Sequence, residues 1–177
     1  MTLSLREPIT LDELLNYRLL RLYAVSGAPV IRLLEGRYGI SRREWRLLAL
    51  LAAHGAQSPS ALADHAHLDR PRASRGIAVL AAKRLVQRAV EPGDARRARV
   101  TLTKSGRRLY DELFPQIAAI NAQVMAAIDD TAVRALDDAL ARLTEQAERL
   151  NTEVVRDVRA DRRAGGSRRV KDWSKEA

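Results

Sequence analysis

The sequence predicts a mainly α chain: two short helices joined by a tight turn, then a β-hairpin, all flanked by long helices. Three observations predict this. Leucines recur at three- and four-residue steps near both ends of the chain. Two helix starts of the Ser-Pro or Asp-x-Pro kind stand close together in the middle. Between Leu85 and Leu102 the helical period gives way to alternation around Pro92-Gly93.

The first helix is expected from about Leu11 to Arg37, on the spacing of Leu11, Leu15, Leu19, Leu22 and Val25 or Ser26. Gly27 and Pro29 predict a kink or break within it, because proline cannot donate the backbone bond. Gly36 and Gly39 mark its end. Ser41-Arg42-Arg43-Glu44 is a capping box, and a helix follows through Trp45, Leu47, Leu48 and Leu51 to about Ala53. Ser58 and Pro59 start a short helix ending near His65. Asp69 caps the next, with Pro71 in its first turn and Ile77, Leu80 and Ala81 as its apolar face. Two short helices joined this way form a helix-turn-helix. Leu85, Val86 and Val90 make a strand, Glu91 to Asp94 a turn, and Arg99 to Leu102 the returning strand. This places Arg96 and Arg97 at the hairpin tip. Thr103 caps a helix from Lys104 to about Ile128, with a kink expected at Pro115.

The last helix is expected from Thr131 to Ala160, about 45 Å long at 1.5 Å per residue. Val133, Leu136, Leu140, Leu143, Ala147, Leu150 and Val154 form a heptad stripe along it. A stripe of this length on a chain of 177 residues predicts packing against a second copy. The expected dimer interface comprises Leu11, Leu15, Leu136, Leu140, Leu143 and Leu150. The Gly- and Arg-containing tail from 161 to 177 is expected to be disordered.

Charge narrows the function. The net charge is +9, and the stretch from Asp69 to Arg108 holds 12 Lys and Arg against 3 Asp and Glu, which accounts for all of it. A charge excess confined to one segment predicts a polyanion-binding face. The same stretch contains no Phe, Trp or Tyr. Single strands are gripped by stacking bases on aromatic rings, so duplex DNA is the expected partner. Cysteine is absent, which excludes disulfides, thiolate metal sites and thiol redox chemistry. His54, His65 and His67 lack the carboxylate and thiol company of a metal centre. No catalytic triad order or phosphate loop stands out, so neither an enzyme nor a cofactor is expected. No apolar run reaches the roughly 18 residues that a span requires, and Met1 to Arg6 lack a signal-peptide core. The expectation is a soluble, cytoplasmic protein.

The segment from Leu85 to Gly106 resembles the wing of the MarR family of regulators. That family has an Asp-x-Arg tip, a returning strand, and Leu-Thr-x-x-Gly opening the next helix. Here these are Asp94-Ala95-Arg96, Arg99 to Leu102, and Leu102-Thr103-Lys104-Ser105-Gly106. Gly39-Ile40-Ser41 with Glu44-Trp45 is similar to the family's entry into its second helix, and the likeness covers about residues 10 to 155. One position departs: Arg84 follows Lys83 where the family often has glycine.

The resemblance implies a winged helix-turn-helix with long N- and C-terminal dimerisation helices. The expected parts are an N-terminal dimerisation helix (1–40), a DNA-binding lobe (41–103), C-terminal dimerisation helices (104–160) and the basic tail (161–177). It implies a homodimer on a pseudo-palindromic operator, usually a repressor released by a small molecule. The alternative is an architectural protein that coats DNA without sequence choice. The implied DNA-binding residues are Arg70, Arg72, Ser74 and Arg75 on the recognition helix, with Asp94, Arg96 and Arg97 on the wing. In relatives, small aromatic acids bind between the first two helices and the fifth. Tyr17, Arg21, Tyr23, Trp45, Arg46 and His54 are the implied candidates here, arginine pairing a carboxylate and the rings flanking an aromatic body.

Overall fold

The computed structural model describes residues 5–91 and 94–157, and side chains for all of these except 90, 91, 94–97 and 154–157. The expected disordered tail and the Pro92-Gly93 tip lie outside the described residues. Residues up to Val124 form one compact unit, and those from Met125 onward a second.

The chain opens with a 3₁₀ turn at Leu11–Glu13, whose capping box joins Thr10 and Glu13. Leu14 is extended, and α1 then runs over Leu15–Tyr38. The expected break at Gly27 and Pro29 does not occur, and α1 passes through both residues. Pro29 is on the exposed side of the helix, where losing one backbone bond is cheap. Gly27 serves packing instead: a Cβ there would lie 2.5 Å from Arg42 Nη1. The helix stops at Gly39, whose φ of 61° is left-handed.

Helix α2 spans Arg42–His54 and begins with the expected capping box: the Glu44 N–H donates to Ser41 Oγ at 3.2 Å. Helix α3 spans Pro59–His65 with Ser58 as its cap. Helix α4 spans Arg70–Ala82, and the Arg72 N–H donates to Asp69 Oδ1 at 2.7 Å. Leu47, Leu48 and Leu51 of α2 pack with Leu62, Ala66, Ile77, Leu80, Val86 and Val100 in one buried core. A second cluster joins Leu34 and Ile40 to Leu113. Helix α4 lies close against α2 at Gly76, where a Cβ would meet Leu47 Cδ1 at 2.7 Å.

Strand β1, Val86–Glu91, pairs antiparallel with β2, Asp94–Leu102. The returning strand is therefore longer than expected, and Arg96 and Arg97 lie within it rather than at the tip. The register shifts between Ala89 and Glu91, so residues 95–98 carry no clean alternation for sequence reasoning to find. Gln57 adds a third edge, exchanging backbone bonds with Val100 at 3.1 and 2.8 Å.

Helix α5 spans Lys104–Met125 and is unbroken at Pro115. Its start explains the Leu-Thr-x-x-Gly motif. The Thr103 hydroxyl donates to the Arg84 carbonyl at 2.7 Å and accepts the Gly106 N–H at 3.0 Å. A Cβ on Gly106 would fall 2.0 Å from the Leu85 carbonyl oxygen. Arg84, the departure from the family pattern, adopts a φ of 58°. The turn keeps the left-handed backbone of a glycine and forces an arginine into it, at a cost of about 1–2 kcal/mol. In the second unit, α6 spans Asp130–Asp157. Leu136, Leu140, Leu143 and Leu150 are 39–48% exposed along it. Val154 and residues 158–160 of the expected stripe and helix lack described side chains or placement.

Candidate nucleic-acid interface

Helix α4 turns its buried side, Ala73, Gly76, Ile77 and Leu80, onto the core. Arg70, Arg72, Ser74 and Arg75 consequently fall on its exposed side. The Asp69 cap also orients Arg72, whose Nε lies 3.3 Å from Asp69 Oδ2. Arg75 is held more loosely, its Nε 3.4 Å from the Pro71 carbonyl. Both guanidinium heads stand in solvent at the helix N-terminus, which itself favours anions. Asp94, Arg96 and Arg97 lie on β2, but their side chains fall outside the described residues.

Charge counting alone overstates the free cations. Lys83 Nζ donates to the Gly39 carbonyl and to Glu44 Oε2, both at 2.7 Å, so it ties the end of α4 to the start of α2. Arg99 donates to the Ala56 carbonyl at 3.2 Å, and Arg107 to the Ala52 carbonyl at 3.2 Å. These three brace the lobe, a role that sequence reasoning missed because it is fixed by tertiary placement.

The six effector candidates do not converge. Tyr23 and Arg46 meet: Arg46 Nη2 donates to the Tyr23 hydroxyl at 2.9 Å, and its Nη1 to the Ala66 carbonyl at 2.9 Å. They line a cleft of about 350 Å³ with Arg42, Arg43, Glu35 and Leu68. Arg42, missed in the sequence, lies 4.2 Å over the Tyr23 ring, with Nη1 buried and unpartnered. Trp45 points elsewhere, stacked on Tyr110 at 5.6 Å and 13°. His54 stands 5.6 Å from His65, whose Nδ1 is 2.7 Å from Gln57 Oε1. Arg21 pairs with Asp12 at 3.4 Å in solvent. Tyr17 is half-buried on α1, six residues before Tyr23. Among the described residues, no three His, Asp or Glu side chains gather as a metal site, and no helix is long and apolar enough to cross a membrane.

Comparison with known proteins gives these observations a frame. Residues 38–97 match the model of the MarR family. A MarR-family transcriptional regulator from Silicibacter pomeroyi is 29% identical, with a TM-score of 0.66 over 76% of this chain and 90% of that one. A MarR/EmrR-family regulator from Acinetobacter sp. ADP1 is 20% identical, with a TM-score of 0.72 over 80% and 99%. BpsR from Bordetella bronchiseptica, whose DNA binding is regulated by 6-hydroxynicotinic acid, is 22% identical, with a TM-score of 0.68 over 78% and 98%. No curated protein matches the chain. The central lobe, residues 38–97, is a MarR-family domain in sequence, and some three quarters of the chain shares the winged-helix fold of MarR-family transcriptional regulators.

Proposed function

We propose that the chain is a homodimeric, sequence-specific repressor that leaves a pseudo-palindromic operator when a small aromatic carboxylate binds. The observation that carries this reading is the exposed arginine side of α4, presented by the Asp69 cap and backed by a packed core. Arg72 and Arg75 suit bidentate contact with guanine in the major groove. Arg70 and Ser74 reach phosphates, and Arg96 and Arg97 on the wing sense the minor groove, with Asp94 positioning them. The exposed leucines of α6, with Leu11 and Leu15 near the N-terminus, supply the dimer interface. Two copies then place their recognition helices about one helical turn of DNA apart.

The effector reading rests on the cleft between α1 and α2. A carboxylate entering beside Arg42, Arg43 and Arg46 meets three guanidinium groups against the single carboxylate of Glu35. Arg46 also holds the Ala66 carbonyl at the end of α3. A ligand that recruits Arg46 therefore loosens the turn leading into α4. The regulation of BpsR by 6-hydroxynicotinic acid makes that compound a suitable first probe.

The experiment is selection of bound duplexes from random DNA, followed by titration of the selected site and a scrambled one. A specific repressor binds its site about a thousandfold or more tighter. Adding 6-hydroxynicotinate and other hydroxylated aromatic carboxylates should weaken that binding, and Arg46→Ala should blunt the response. Equal affinity for both duplexes would replace this reading with the architectural one.

A further inference from the structure

The exposed side of α4 is not uniformly basic. Beyond Arg75 it continues as Ala78, Val79 and Ala82, all exposed, with Val79 at 40%. At 100° per residue, Arg72 and Val79 share one strip of the helix, while Arg75, Ala78 and Ala82 share the adjoining one. Ala73, Gly76, Ile77 and Leu80 already make up the face turned to the core. Val79 thus lies outside the buried core clusters and borders the same outward surface as the arginines.

A branched alkyl group on a groove-facing helix has one apolar partner among base-pair edges, the C5-methyl of thymine. We infer that Val79, flanked by Ala78, reads a thymine methyl within about two base pairs of the one contacted by Arg75. The separation fits. Four residues of helix advance about 6 Å, which is roughly two base steps of 3.4 Å. The half-site should therefore carry a thymine within about two base pairs of the guanine read by Arg75. This inference rests on the sequence-specific reading given above and adds to it a named base and a named side chain.

The test uses the full-length protein and the duplex selected from random DNA. Each thymine of a half-site is replaced in turn by deoxyuridine, which removes only the methyl group. Wild type and Val79→Ala are titrated on every duplex, with thermal unfolding to establish that the variant is folded. One uracil position per half-site should weaken wild-type binding about three- to tenfold. Val79→Ala should bind the thymine duplex about as weakly as wild type binds the uracil one, and should no longer distinguish the two. Wild type indifferent to every uracil overturns the inference. So does Val79→Ala that keeps the full thymine preference. If selection enriches no sequence at all, the sequence-specific reading falls, and this inference with it. That outcome is visible before any uracil is introduced.

Discussion

Replacing Gly106 with alanine should destabilise the protein out of proportion to the single carbon added. The new Cβ would sit 2.0 Å from the Leu85 carbonyl oxygen and 2.9 Å from its carbon. Ordinary contact requires more than 3 Å, so the start of α5 must withdraw from the end of the α4–β1 turn by over 1 Å. That withdrawal acts on a shared set of bonds. The Thr103 N–H donates to the Leu85 carbonyl at 3.1 Å, the Thr103 hydroxyl to the Arg84 carbonyl at 2.7 Å, and the Gly106 N–H to the Thr103 hydroxyl at 3.0 Å. Losing two of the three costs about 1–3 kcal/mol, at ~0.5–1.5 kcal/mol each. Residual overlap and backbone shift add about 1–3 kcal/mol, as overpacking does. Against this, alanine in place of glycine in a helix returns about 1 kcal/mol. The net expectation is a loss of about 1–5 kcal/mol. Urea denaturation at one fixed protein concentration measures it, with Ser105→Ala as the exposed control on the same turn. Gly106→Ala within about 0.5 kcal/mol of wild type, the range of ordinary surface substitutions, would refute the steric argument.

Arg84→Gly should stabilise the protein by about 1 kcal/mol, because glycine takes the left-handed backbone without the Cβ clash; denaturation midpoints check it. Arg75→Ala should cost about 1–3 kcal/mol on the selected operator and little on scrambled DNA. Lys83→Ala should lower the melting temperature yet leave the salt dependence of DNA binding unchanged, since its ammonium is spent on Gly39 and Glu44. Replacing both Leu140 and Leu143 with lysine should give monomers by sedimentation and weaken DNA binding. A variant that stayed dimeric would remove the α6 stripe from the interface.

Much of the fold was legible because its punctuation is local. Ser41, Ser58, Asp69 and Thr103 each announce a helix start through a side chain that reaches only three residues ahead. What escaped depends on tertiary partners. Pro29 and Gly27 look like breakers in sequence, but Gly27 is the gap that admits Arg42. The edge strand at Gln57 consists of one residue, and its pairing with Val100 spans more than forty positions. The arginine side of α4 followed from the cap and the helical period. The cleft at Arg42 did not, because cations spaced along α2 reveal nothing of the Tyr23 ring they face on α1. Trp45, a natural ring for a ligand in sequence terms, is instead stacked on Tyr110, which α5 brings from 65 positions away.

The close approach of α4 to α2 separates the evolution of binding from that of folding. Gly76 seats the helix on Leu47 from the inside, and Lys83 fastens its far end. Both fasteners lie off the outward arginine face, Gly76 beneath the helix and Lys83 at its far end. Positions 72, 74, 75, 78 and 79 are left as a facade whose residues can be exchanged without disturbing what holds it up. A new operator is then reachable by changing a handful of codons at little cost in stability. A recognition surface from another regulator could be transplanted onto these positions and keep its aim, provided that Gly76 and Lys83 stay in place.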